Sequence, residues 1–129
     1  MRLESTGRGL TLDAGALIGI ERRARAVQAL LAEAKGTPLI VPAAALGQVW
    51  RGGARQARLA AFMRTRDVKV VPLDERTARL AGELCAATGT SDVVDACVVV
   101  CARSVQYAVL TSDPDDLRRL DPHLDVITI

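Results

Sequence analysis

Leu10-Thr11-Leu12-Asp13-Ala14-Gly15-Ala16-Leu17-Ile18-Gly19-Ile20 is the stretch on which the fold turns. Its first three residues are a short, mostly apolar run, as expected of a strand buried on both faces. Asp13 ends that run, and the residues after it favour a helix. A buried strand that stops at an acid and passes into a helix is the opening of a βα unit.

The same grammar repeats along the chain. Ala14 to Ala34 predicts two helices broken near Arg22–Arg25. Pro38-Leu39-Ile40-Val41 predicts a second strand, stopped by Pro42, then a helix from Ala43 to Arg51 that ends at Gly52-Gly53. Ala54 to Thr65 reads as another helix, with Leu59, Phe62 and Met63 on its apolar side. Val68 to Val71 is a third strand, and Asp74 can cap a helix running to Ala87. Thr88-Gly89-Thr90 breaks the chain, and Ser91 is expected to cap a helix carrying Asp92 and Asp95. Tyr107-Ala108-Val109-Leu110 is a fourth strand, Asp113 to Leu120 a short helix, and Val126 to Ile129 a final edge strand. Aliphatic strands alternating with helices predict an α/β fold. The expectation is a three-layer α/β/α domain over residues 1–129, with a parallel sheet of about four to five strands.

Composition agrees. Half of the residues are hydrophobic but only 2% are aromatic, so the core must be built from Ala, Val, Leu and Ile. The cysteines Cys85, Cys97 and Cys101 are too few and too irregular for a disulfide framework, and read as small buried hydrophobes in a reducing, cytoplasmic setting. No run approaches the ~18–20 apolar residues of a membrane span. Met1 to Gly9 has no apolar core of the signal-peptide kind. Charge is uneven. Residues 1–66 hold eleven Lys or Arg against four acids, and residues 67–129 hold six against eleven, or +7 against −5. Such a division suits a protein that holds a polyanion at one place and a cation at another; an ordinary solvated surface is the alternative.

The acids point to chemistry. In open α/β sheets, ligands collect at the carboxyl ends of the strands. Asp13 and Asp113 fall at such ends, with Asp116 three residues after Asp113. Asp92 and Asp95 are also three apart, on one helical face. Carboxylates sharing a pocket repel unless a cation lies between them, and oxygen-only ligands suit Mg²⁺ or Mn²⁺. Such an ion can neutralise charge on a phosphodiester under attack. Helix capping is the competing account of Asp92, and a solvated surface that of Asp115. Other α/β enzymes fit less well. A dinucleotide fold wants Gly-x-Gly-x-x-Gly after the first strand. A haloacid-dehalogenase-type enzyme wants a second Asp where Gly15 stands. A receiver domain wants a lysine after a late strand, and the only lysines are Lys35 and Lys69.

Three segments together resemble the PIN-domain family: Leu12-Asp13-Ala14-Gly15-Ala16-Leu17-Ile18, Asp95-Ala96-Cys97-Val98-Val99-Val100-Cys101-Ala102, and Val109-Leu110-Thr111-Ser112-Asp113-Pro114-Asp115-Asp116-Leu117. Leu117 stands where the family often has an aromatic residue. Length and the Arg-rich middle resemble the VapC-type toxins within it. The resemblance implies a metal-dependent endoribonuclease acting on RNA, working as a homodimer with a VapB-type antitoxin. Carried onto this chain, it makes Asp13, Asp95 and Asp113 the catalytic and metal-binding acids, with Asp92 and Asp116 as helpers and Mg²⁺ or Mn²⁺ as cofactor. The family's Glu on the helix after the second strand is replaced here by Gln48. An amide can still ligate a metal but brings no charge, so a catalytically weakened domain that binds RNA or a partner is the alternative. Glu21 is another acid that could complete the site.

Arg51, Arg55 and Arg58 fall at i, i+4, i+7, a stripe on one helical face provided that Gly52-Gly53 does not redirect the helix. They are the RNA-backbone candidates, with Arg22, Arg23 and Arg25 as a second cluster. Trp50 is a base-stacking candidate, or else packs at the core or a dimer surface.

Overall fold

Five short strands form one parallel sheet: β1 (Leu10–Leu12), β2 (Leu39–Pro42), β3 (Val68–Val71), β4 (Ala108–Thr111) and β5 (Val126–Thr128), in the spatial order β3-β2-β1-β4-β5. The structure is a computed structural model that describes residues 9–129. Met1–Arg8, which include most of the segment read as lacking a signal sequence, lie outside the described residues. Seven helices complete it: α1 (Ala14–Glu21), α2 (Arg25–Glu33), α3 (Ala43–Val49), α4 (Ala57–Met63), α5 (Glu75–Thr88), α6 (Val93–Val105) and α7 (Pro114–Leu120). α1 packs with α2, α3 and α4, while α5, α6 and α7 pack with one another, and the sheet lies between the two layers. The expected α/β/α architecture and parallel sheet are what is found.

Every residue of β1, β2 and β4 is buried, which is why these strands are aliphatic runs rather than alternating patterns. Leu10, Leu12, Leu17, Val41, Val98, Val99, Leu110 and Leu117 are at or near zero exposure. Each contributes roughly 1.5–3 kcal/mol by leaving water. β3 and β5 are the edges. On β3, Lys69 and Val70 are exposed, and an exposed charge blunts an open edge.

Helix ends follow local chemistry. Asp13 caps α1 and Asp74 caps α5 through hydrogen bonds from the amides of Ala16 and Thr77. α1 and α2 separate at Arg23, whose φ of 59° is left-handed, within the break expected at Arg22–Arg25. One cap differs from expectation. Asp92, not Ser91, caps α6: its carboxylate accepts from the Asp95 amide at 3.0 Å, so Asp92 precedes the helix rather than sharing its first turn. A carboxylate complements the helix dipole as well as the amide, which a serine does not. The arginine stripe also fails. α3 ends at Val49, a loop follows, and a single 3-10 turn (Ala54–Gln56) precedes α4, so Arg51, Arg55 and Arg58 share no continuous helix. Gly52 (φ 78°) takes the chain out of helical geometry.

The topology positions the site. From β1 the chain steps outward to β2 and β3. α5 and α6 then return it across the sheet to β4, beside β1, and β5 is added outside β4. The direction of winding thus reverses between β1 and β4, and the crevice at such a reversal is where α/β sheets bind ligands. Asp13 follows β1 directly, and Asp113 lies two residues beyond β4.

Candidate active site

Asp13 is 5% exposed at the mouth of that crevice. Its Oδ1 accepts from the Ala16 amide at 2.9 Å, and the Thr111 hydroxyl at the end of β4 also bonds to its carboxylate. Thr111 Oγ1 in turn accepts from the Asp113 amide at 2.9 Å, so one threonine ties both strand-end acids together. Burial raises the pKa of Asp13, and the hydrogen bonds from Thr111 and the backbone oppose that rise without cancelling it. A side chain at Gly15 would collide with the Ser112 hydroxyl and stand 3.4 Å from Asp13 Oδ1, which explains a glycine in the first turn of α1.

Asp95 is half-buried in the first turn of α6. Burial, then the charge of Asp92 and a hydrogen bond with it, then the charges of Asp13 and Asp116, push its pKa up to about 7. It is therefore the electrostatic centre of the acids. Asp116 connects it to Asp113: hydrogen bonding to Asp116, above all, raises the pKa of the exposed Asp113. Asp92, Asp95 and Asp116 line a cavity of about 130 Å³ with Thr90 and Arg119. Asp115 is exposed, lies outside this cavity, and adds a smaller charge contribution to the rise at Asp113.

All these donors are carboxylate oxygens, and their mutual repulsion is what a hard divalent cation relieves, so the donor chemistry fits Mg²⁺ or Mn²⁺. Among the described residues no three His, Cys, Asp or Glu side chains stand close enough together to form a ready-made metal cage. The close relations are pairwise: Asp95 with Asp92, Asp13 and Asp116, and Asp113 with Asp116.

Gln48 does not line the cavity of Asp92, Asp95 and Asp116. It is exposed and lines a different cavity, with Glu21, Arg22, Arg51, Arg55 and Gln56. Arg51 folds back onto the Trp50 carbonyl at 2.7 Å, and half-buried Arg58 does not line this cavity. Trp50 is 39% exposed over an apolar hollow with Leu46, Met63 and Val70, outside the core. The three cysteines are free and buried, and burial raises the thiols of Cys97 and Cys101, as befits inert packing groups. Three contributors escaped the sequence reading. Thr111 was visible only as part of a motif. Arg119, 3.6 Å from Asp116, was legible as an i, i+3 pair. Gln56, a buried amide contacting Glu21 from 35 residues away, left no local signal.

The PIN domain family model matches residues 10–122. Solved structures share the architecture. VapBC2 from Rickettsia felis bound to a promoter DNA fragment aligns with a TM-score of 0.72 at 13% identity, over 93% of this chain and 98% of that one. A toxin–antitoxin complex from Klebsiella pneumoniae gives 0.70 at 15% identity, over 93% and 97%. DNA-bound VapBC from Salmonella typhimurium gives 0.69 at 15%, over 94% and 98%. No curated protein sequence matches significantly. The family match runs from the first residue of β1 to just past α7, taking in every acid discussed above, and the chain accordingly belongs to the PIN domain family.

Proposed function

We propose that this chain is a metal-dependent endoribonuclease, the toxin of a VapBC-type toxin–antitoxin module, acting in the cytoplasm as a homodimer restrained by a VapB-type antitoxin. The observation that carries the reading is the run of carboxylates at the winding reversal, centred on Asp95 with its pKa near 7. Membership of the PIN family and likeness in fold to toxin–antitoxin proteins support it.

Asp13, Asp95 and Asp113 would hold Mg²⁺ or Mn²⁺, with Asp92 and Asp116 beside them. The ion, when bound, supplies positive charge against the phosphodiester undergoing in-line attack. The chain's own groups prepare the place. Thr111 and the Ala16 amide fix the Asp13 carboxylate, so the loss of side-chain entropy is met on folding rather than on binding. Asp92 aims the first turn of α6, and with it Asp95, at the crevice. Arg119, which lines the same cavity as Asp92, Asp95 and Asp116, would meet a phosphate oxygen.

The test is cleavage of a single-stranded RNA against Mn²⁺ concentration. Cleavage that needs Mn²⁺ and disappears in Asp13→Asn is expected; wild-type cleavage by that variant would exclude Asp13 as a ligand. A second reading, a weakened domain that mainly binds RNA or a partner, draws on uncharged Gln48 lining the basic cavity. It predicts RNA binding without turnover in the same assay.

A further inference from the structure

A cavity of about 430 Å³ opens where the C-terminal end of α1 meets the loop between α3 and α4. Its wall is built around Gln56, which is 5% exposed and fully engaged. Gln56 Oε1 accepts from the amides of Arg51 (2.7 Å) and Gly52 (3.0 Å), and its Nε2 donates to the Val49 carbonyl (2.9 Å) and to Glu21 Oε1 (2.7 Å). Glu21 closes α1, the end of a helix at which the dipole disfavours an acid. It is held there by a neutral amide that occupies Oε1 and leaves Oε2. No ion pair among the described residues involves Glu21, Arg22 or Arg55, although all three line this cavity. The wall therefore offers two guanidinium groups beside a carboxylate acceptor.

We propose that this cavity is a ribonucleotide subsite at the opposite end of α1 from Asp13. Arg22 and Arg55 grip a backbone phosphate, Glu21 accepts a ribose 2′-hydroxyl, and Gln56 is the positioning residue. The proposal rests on the ribonuclease reading and names where the RNA runs beyond the acids. Asp13 and Glu21 bracket α1, about 12 Å apart at 1.5 Å per residue, which places the subsite a few nucleotides along the strand. Cations beside a fixed acceptor suit a ligand that carries both an anion and a hydroxyl donor, as RNA does. An acidic peptide would set its carboxylates against Glu21.

Binding of labelled single-stranded RNA and same-sequence DNA oligonucleotides to the full chain in EDTA, across a salt series, tests this without cleavage. Removing both exposed arginines (Arg22→Ala with Arg55→Ala) should reduce the slope of log K against log salt by about 0.7, the value for one phosphate contact on a single strand. Glu21→Ala should reduce the preference for RNA over DNA about tenfold, since one charged hydrogen bond is lost, whatever it does to overall affinity. Gln56→Ala should weaken RNA binding while Mn²⁺ binding, followed by titration, stays unchanged. A wild-type protein that binds no RNA would sink the ribonuclease reading and this proposal together. Wild-type RNA binding with a salt slope indifferent to the arginines overturns the subsite alone. So does retention of a polyglutamate peptide in preference to RNA, lost in the double variant, which would assign the cavity to an acidic segment.

Discussion

Asp95 holds a proton at a pH where an ordinary aspartate has long lost it, and stability should register this. Its folded pKa of about 7 lies above the ordinary 3.8, so between those values the folded state binds more protons than the unfolded one. Its contribution is complete below about pH 4 and is lost as pH rises through about 7. Metal-free protein should therefore lose stability over that window, and Asp95→Asn should flatten the loss. Urea midpoints in EDTA from pH 4.5 to 7.5 measure both; parallel curves for the two proteins would contradict the assignment. Thr11 offers a second case. It is fully buried in β1 and its Oγ1 has no hydrogen-bond partner. Thr11→Val keeps the shape and removes the unpaired group, so stability should rise by about 1 kcal/mol, read as a higher melting temperature. Asp13 stood out in the sequence because it interrupts an apolar segment where an acid needs a reason, and the fold does bury it. The unsatisfied hydroxyl of Thr11 was not, since only neighbouring strands decide whether a buried threonine finds a partner.

At the scale of the element, α6 shows two demands meeting at one terminus. Asp92 caps the helix through the Asp95 amide, and its negative charge helps to raise the Asp95 pKa. Asparagine caps about as well as aspartate but carries no charge. Asp92→Asn should thus preserve the helix while lowering the Asp95 pKa, seen by NMR titration of the Asp95 carboxyl group; an unmoved pKa would mean that burial, with Asp13 and Asp116, sets it without Asp92. Most elements were legible from aliphatic runs and their Pro, Gly and Asp boundaries. The exceptions are instructive. Ser91 and Asp92 are both good caps by type, and one residue of register separates them. The arginines at 51, 55 and 58 had helical spacing, but Gly52 released the backbone, and Gln56 captures the freed amides of Arg51 and Gly52.

For the whole molecule, the uneven charge has a spatial meaning. The basic half builds β1, β2 and α1 to α4, and most of the acidic half lies in α5 to α7, with the winding reversal between β1 and β4 at the seam. A divalent ion bound at that seam must displace the proton on Asp95, because a ligand carboxylate is ionised. Mn²⁺ binding should release a fraction of a proton at pH 6.5 and close to none at pH 8.5. Calorimetry in buffers of different ionisation heat measures this. Melting temperature should rise with Mn²⁺ concentration, by mass action, and do so less in Asp95→Asn. Binding without proton release at pH 6.5 would place the ion away from Asp95.

The sequence by itself determined the class of fold, the strands, most helix limits and which acids fall at strand ends, because burial on both faces of a sheet imposes aliphatic runs and helix termini select their caps locally. Only the tertiary structure decided which acids feel one another and which polar groups share a cavity. Asp13, Asp95 and Asp116 come from three separate segments, and their coupling exists only once β4 lies beside β1. Gln56 meets Glu21 across 35 residues because a loop, turned out of the helix at Gly52, closes against the end of α1. Distances through space set electrostatic energies, and no spacing along the chain specifies them.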